Sequence, residues 1–286
     1  MASSGLTVVT FFRLIRIPNL LIIVFAQYFS AIFILGSSEN WQSFLLDNNL
    51  FLISFSTVLI AAAGYIINDY FDIKIDYVNK PQRVIIGREM KRRKAMAIHT
   101  LFNFSGIIIG FFVHPYISLI NAASATILWW YSSKLKRKPL VGNVIVAWLT
   151  AMCLLILVVH YRSHVLLMVM YAVLAFGLTL IREIIKDIED LQGDADFGRR
   201  TLPVVWGVRK TKWFLFILSI GFIIGLFFII LQLENPDIHL FFYLFLIPMI
   251  IFIILLLKAD TKKDFAGLST ICKFLMLLGI LSMVFF

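Results

Sequence analysis

The chain alternates long apolar runs with polar connections, and the run lengths set its fold class. A membrane-spanning helix needs about 20 predominantly apolar residues. Nine stretches of that order, bounded by charges, proline or asparagine, lie at residues 17–36, 49–68, 95–112, 115–133, 141–160, 164–181, 213–233, 238–257 and 266–286. Only the turn at His114-Pro115 parts the third from the fourth. The pattern predicts an all-α polytopic membrane bundle of nine transmembrane helices, one domain over 1–286, with cap loops between helices 2 and 3 and between helices 6 and 7.

Composition agrees. Of 286 residues, 61% are hydrophobic and 15% charged, against ~45–50% and ~25% for soluble domains. The segment MASSGLTVVTFFRLIRIPN puts a weak apolar stretch ahead of basic residues, the reverse of a cleaved signal peptide, so the first span is expected to be retained. The net charge of +10 does not point to nucleic acid, because the basic residues lie in connections between apolar runs. With the amino terminus in the cytoplasm, 24 of the 26 Lys and Arg fall on that side, Arg162 lies opposite, and Lys273 sits near the start of the last span. That asymmetry sets orientation: an integral protein of the cell (inner) membrane, amino terminus inside and carboxy terminus outside. The long connections 69–94 and 182–212 face the cytoplasm, where the functional site is expected.

Candidate chemistry gathers at those connections. The second span ends in Asn68-Asp69-Tyr70-Phe71-Asp72-Ile73-Lys74-Ile75-Asp76, with carboxylates at i, i+3 and i+7, on one face if the helix continues. Asp187, Asp190 and Asp194 repeat the spacing after the sixth span, behind the same Ile-Ile lead. The motifs close spans that run in one direction, four spans apart, which predicts a parallel internal repeat whose halves share a site. Acids crowded at a membrane boundary repel and are costly to desolvate, so the arrangement implies a cation. Mg2+ fits hard oxygen ligands, and the His and Cys ligands that favour zinc or copper are absent from both motifs. Basic residues follow each motif: Lys80, Arg83 and Arg88, then Arg199, Arg200 and Arg209. Arg83 lies close enough to Asp76 to fold back over the site and clamp phosphate. At the end of the fourth span Tyr131 offers an aromatic face for a developing carbocation and Lys136 an ammonium for a departing diphosphate, while Trp129 and Trp130 read as interface anchors. Cys153 and Cys272 and the five histidines receive no catalytic role. Gly106/Gly110 and Gly221/Gly225 read as close helix contacts.

These residues resemble the UbiA-type intramembrane prenyltransferases. Asn68-Asp69-x-x-Asp72-x-x-x-Asp76 is similar to that family's first motif and Asp190-x-x-x-Asp194 to its second. Arg16-Ile17-Pro18-Asn19, Tyr131 to Lys136, Gly142-Asn143 and the nine-span layout extend the likeness over nearly the whole chain. It departs after Arg83, where Val84 stands in place of the family's common proline. Lys186 to Asp194 with Thr201-Leu202-Pro203 looks most like the digeranylgeranylglyceryl phosphate synthase branch, and homogentisate phytyltransferases and chlorophyll synthases share part of that pattern.

The resemblance implies Mg2+-dependent transfer of a prenyl group from a prenyl diphosphate to a lipophilic acceptor, with geranylgeranyl transfer to geranylgeranylglycerol phosphate as the expected reaction. It implies metal binding by Asn68, Asp69, Asp72, Asp76, Asp187, Asp190 and Asp194, and substrate contacts by Arg16, Asn19, Arg83, Lys134, Asn143 and Arg199. Asp190, Asp194, Tyr131 and Lys136 are the expected catalytic residues, with Asp190 or Asp194 taking an acceptor proton. A phosphate on the acceptor would draw on Lys134, Lys136, Arg199 and Arg200. Some of the 28 phenylalanines are expected to line a tunnel for the isoprenoid tail. An aromatic prenyltransferase of quinone synthesis and a UbiA-type terpene cyclase remain alternatives. A transporter also carries repeats and intramembrane acids, but here the acids sit at span ends. No nucleic acid and no protein partner are expected.

Overall fold

The computed structural model describes residues 7–36, 41–232 and 236–286. The first six residues of the amino-terminal segment and residue 233, the expected end of the seventh span, lie outside them. A short helix α1 (Val8–Leu14) precedes α2 (Ile17–Phe29), which continues through a π-helical stretch, Ser30–Leu35. There follow α3 (Trp41–Leu45), α4 (Asn48–Asn79), α5 (Arg92–Val113), α6 (Pro115–Ser133), α7 (Val141–Tyr161) and α8 (Val165–Glu189). The chain ends with α9 (Leu191–Asp196), α10 (Leu202–Trp206), α11 (Val208–Ile230), α12 (Pro236–Lys258) and α13 (Lys262–Leu281). No strand occurs among the described residues, and eight helices are long and apolar enough to cross a membrane. The fourth expected span exists as α6, but its Asn121, serines and Thr126 keep it outside those eight. Exposed Phe112, Leu166, Ile217 and Phe228 dress the outer surface for lipid. The protein is an integral membrane protein.

Two helices overrun the apolar lengths expected for them. α4 has 32 residues, roughly 48 Å of helix at 1.5 Å per residue, against a hydrocarbon layer of ~30 Å. Its last turns carry the first aspartate motif beyond the apolar run that ends at residue 68. Asp47 caps the start by accepting from the Asn49 amide at 2.8 Å. Pro81 ends the helix by driving Lys80 out of helical conformation, to φ −146° and ψ 61°. The connection then folds back and buries Val84, Ile85, Ile86 and Met90, so apolar anchoring holds the segment that follows Arg83.

The second motif is built differently from the first. α8 runs eight residues past the expected 181, breaks at Asp190, and resumes as α9. Asn79, the last residue of α4, sits at the break: its side-chain amide donates to the Asp190 carbonyl at 3.0 Å and its Oδ1 accepts from the Gly193 amide at 2.9 Å. Lys262, opening α13, donates to the Asn79 carbonyl at 2.9 Å. Backbone groups freed by the break are thereby satisfied from a neighbouring helix.

α4 packs chiefly on α5 and α6, and α8 chiefly on α7 and α13. The α4–α5 contact needs glycine at position 106, where an added Cβ would meet Ile60 at 2.9 Å and the Ser56 carbonyl at 3.0 Å. The second glycine pair behaves otherwise: Gly221 and Gly225 have nothing within 4 Å.

Gly106→Val is expected to cost about 1–3 kcal/mol by overpacking, read as a lower unfolding midpoint in detergent, whereas Gly221→Val leaves the midpoint near that of the unaltered protein. At the α8–α9 break, a Cβ on Gly193 would lie 2.5 Å from Asn79 Nδ2. Gly193→Ala should therefore destabilise less in an Asn79→Ala background than alone, a coupling that a double-mutant cycle measures.

Candidate active site

Both motifs open onto one cavity of about 510 Å³. On α4, Asp69 accepts from Arg16 at 2.7 Å. Arg16 is held in the left-handed region, φ 56° and ψ 54°, at the start of α2, with its guanidinium 4.8 Å from the centre of the Tyr65 ring. Asp72 is buried and receives Lys136 at 2.7 Å; Lys136 also donates to Asn68 Oδ1 at 3.0 Å. The Asp76 carboxylate lines the cavity and makes no hydrogen bond or ion pair with the described residues. On the other side, Asp187 accepts from Asn143 at 2.8 Å, and Asp190 takes Lys80 at 2.8 Å. Arg199 closes the arrangement, donating to Asp72 of the first motif and to Asp194 of the second, the latter at 3.2 Å.

This geometry moves proton affinities. Burial pushes the Lys136 ammonium down to about 8, against the pull of Asp72. Burial pushes the Asp194 carboxyl up to about 6, against Arg199 beside it.

A second, more apolar chamber of about 250 Å³ shares lining residues with the first, among them Arg16, Asn68, Tyr131 and Lys273. The phenylalanine tunnel expected from composition is not what forms it. Its wall is Ile22, Ile60, Leu128, Val146, Met152 and similar side chains with Tyr65 and Tyr131, and it contains no phenylalanine. Bulky rings would fill the space a flexible chain needs, and the exposed phenylalanines lie on the outer surface.

The structure brings together most of the residues singled out from the sequence. Arg16, Asn19, Asn68, Asp69, Asp72, Asp76, Arg83, Tyr131, Lys136, Asn143, Asp187, Asp190, Asp194 and Arg199 all line the polar cavity. Lys134 does not: it is exposed at the end of α6, directed away from the cavity that Lys136, two residues on, enters buried. Arg200 is likewise exposed, its backbone amide bonded to the Arg137 carbonyl. Sequence reasoning missed Arg182, Glu183, Lys186 and Lys273, which line both chambers. A signal existed in Lys273, a charge inside an apolar run, since intramembrane ionisable residues mark functional surfaces.

The donor set suits a hard divalent ion, although no ready-made cage is present. Among the described residues no three His, Cys, Asp or Glu side chains are grouped to hold an ion. Arg199, Lys136 and Lys80 stand between the carboxylates instead. Mg2+ does not require such a cage, since it is usually held by one or two carboxylates together with substrate phosphates. Asp76 and Asp187, to which no cationic side chain among the described residues is bonded, are the carboxylates left open for that role.

Comparison with known proteins agrees with this geometry. The model of the UbiA prenyltransferase family matches residues 19–278. A digeranylgeranylglyceryl phosphate synthase of Methanococcoides burtonii is 32% identical over 281 residues, covering 96% of this chain and 98% of its own length. One from Sulfurisphaera tokodaii is 32% identical, with 90% and 91% covered. A structure described as giving structural and mechanistic insights into digeranylgeranylglyceryl phosphate synthase in membranes superposes with a TM-score of 0.73 at 27% identity, over 96% of each chain. A UbiA homologue from Archaeoglobus fulgidus, solved with GPP and Mg2+, shares the fold at a TM-score of 0.65 and 16% identity, over 96% of this chain and 99% of its own. With its motifs on one cavity and its relatives matching from end to end, the chain belongs to the UbiA prenyltransferase family.

Proposed function

We propose that this protein transfers a geranylgeranyl group from geranylgeranyl diphosphate to geranylgeranylglyceryl phosphate, with Mg2+ as cofactor, in the synthesis of membrane lipid. The observation that carries the reading is the bridge from Asp72 through Arg199 to Asp194, which joins the two motifs across one cavity that adjoins an apolar chamber. Relatives that are 32% identical over almost their whole length carry the name of that synthase.

In this reading Asp76 and Asp187, with Asn68, Asp69, Asp72, Asp190 and Asp194 around them, would hold Mg2+. The ion supplies charge neutralisation of the leaving group. The chain's own groups do the rest. Arg83, exposed at the rim with Arg16 and Asn19 nearby in the lining, positions phosphate oxygens. Lys136 and Arg199 add positive charge where the diphosphate departs. Tyr131, in the wall of both chambers, turns an aromatic surface toward the boundary where the allylic carbon would lie. Asn143 fixes the Asp187 carboxylate. Asp190 or Asp194 takes the acceptor's hydroxyl proton, and the apolar bundle keeps water from the cation.

The same reading places nine spans in one domain, α6 among them. The helices opening at Asn48 and Arg92 are answered by helices opening at Val165 and Val208, which supports a parallel repeat. The distribution of Lys and Arg places the amino terminus and the site on the cytoplasmic side of the cell membrane and the carboxy terminus outside.

Purified protein given both substrates should form the doubly prenylated glyceryl phosphate, seen by mass spectrometry, and EDTA should stop both product formation and diphosphate release. Diphosphate release with no acceptor present and a cyclised hydrocarbon as sole product would instead mark a cyclase. Asp76→Ala and Asp187→Ala should each raise the Mg2+ concentration for half-maximal activity at least ~10-fold. Asp194→Ala retaining normal transfer would remove that residue from proton transfer.

A further inference from the structure

The cations expected to serve an acceptor phosphate are either outside the site or already engaged. Lys134 and Arg200 are exposed, and Lys136 and Arg199 are bound to Asp72. A different group carries surplus positive charge. On α8, Thr179, Arg182, Glu183 and Lys186 follow the i, i+3, i+4, i+7 rule and share one face. Glu183 is buried and holds Arg182 at 2.6 Å and Lys186 at 3.1 Å. Lys273 joins them from α13; its ammonium makes no hydrogen bond or ion pair with the described residues, and its strongest electrostatic neighbours are the cations Arg182, Lys186 and Arg16. Three positive charges against one negative leave an excess of two.

Two buried donors here lack partners: Arg182 Nε and the Thr179 hydroxyl. A lysine inside a span, ringed by like charge and left unpaired, is an arrangement that membrane proteins do not keep for packing. Its location narrows the ligand. Arg182, Lys186 and Lys273 line both chambers, whereas the aspartates of the two motifs line only the polar one. An anion bound here has the metal-binding acids on one side and apolar walls on the other, which describes a phosphate carried on a lipid chain. A phosphomonoester brings a charge of about −1.5 to −2 near pH 7, matching the local excess.

Building on the function proposed above, we infer that Arg182, Lys186 and Lys273 seat the phosphate of the lipid acceptor and make the enzyme selective for a phosphorylated acceptor over the bare alcohol. The diphosphate of the donor would lie against the aspartates of the polar cavity and the acceptor phosphate at the wall that this cavity shares with the apolar chamber. The phosphate seat thereby fixes which end of the acceptor approaches the allylic carbon.

Lys273→Met is the informative variant, because the ammonium it removes has no bonded partner to strand. It should raise the KM for geranylgeranylglyceryl phosphate ~10-fold or more, the worth of a charge-assisted hydrogen bond, without moving the KM for geranylgeranyl diphosphate. Lys273→Arg should restore much of the loss. Thermal unfolding with acceptor lipid alone, free of Mg2+ and donor, supplies a second readout. Geranylgeranylglyceryl phosphate should stabilise the unaltered protein more than geranylgeranylglycerol does, and Lys273→Met should erase that difference. A rise in KM for the donor in place of the acceptor, or equal stabilisation of the unaltered protein by the two lipids, overturns the inference. Should the unaltered protein fail to turn over this acceptor, the proposed function falls, and the unfolding comparison still decides whether the phosphate seat exists.

Discussion

Arg199 lies between Asp72 on α4 and Asp194 on α9, and the meeting of the two acidic motifs depends on that placement. Two unit charges 4 Å apart interact by about 4 kcal/mol at the effective dielectric of a protein surface, so bare carboxylates would drive the helix ends apart. Several of the acids that line the cavity have a cation of their own, Arg16 for Asp69, Lys136 for Asp72 and Lys80 for Asp190, whereas Asp76 and Asp187 pair with no cation among the described residues. Removing one partner of a buried pair usually costs more than the pair contributes, because an uncompensated charge stays behind. The same pairs hold the protein's own cations where a diphosphate and its metal are to act, and this couples the stability of the empty site to its chemistry.

The helices are shaped to make this cavity. α4 is longer than a bilayer requires, and its surplus turns lift three aspartates out of the apolar layer on one face. α8 breaks, and Asn79 supplies the hydrogen bonds that the break needs. Below the charged cavity, aliphatic side chains leave room for a long chain, and Tyr131 stands where the two chambers share a wall. A cation formed at that boundary would have an aromatic face beside it and little water near it.

Much of this was legible from residue patterns. Apolar runs of spanning length marked the helices, His114-Pro115 marked a true boundary, and carboxylates at matched spacing marked the cavity. The helices run on past the apolar ends at 68 and 181, because hydropathy reports where lipid stops, not where the backbone hydrogen bonding stops. Lys134 and Lys136 were both expected at the substrate, and only Lys136 lines the cavity. A 3-10 turn at Leu135–Arg137 sends one into the site and leaves the other in solvent. Arg182, Glu183 and Lys186 fall in the stretch that hydropathy reads as a connection, 182–212, although they belong to α8.

The amino-acid order by itself determined that the chain is helical, that it lies in a membrane, and which residues carry the two matched acidic motifs, since these follow from local spacing and from the cost of placing charge in hydrocarbon. Tertiary structure alone decided which cation sits on which carboxylate, that the second motif bends where the first stays straight, and that Lys273 joins Arg182 and Lys186 at the wall between the chambers. Those outcomes depend on contacts between residues more than a hundred positions apart in several cases, Asn79 with the Asp190 carbonyl and Arg199 with the Asp72 carboxylate among them. No local pattern encodes such a pairing, because its energy exists only once the helices have packed.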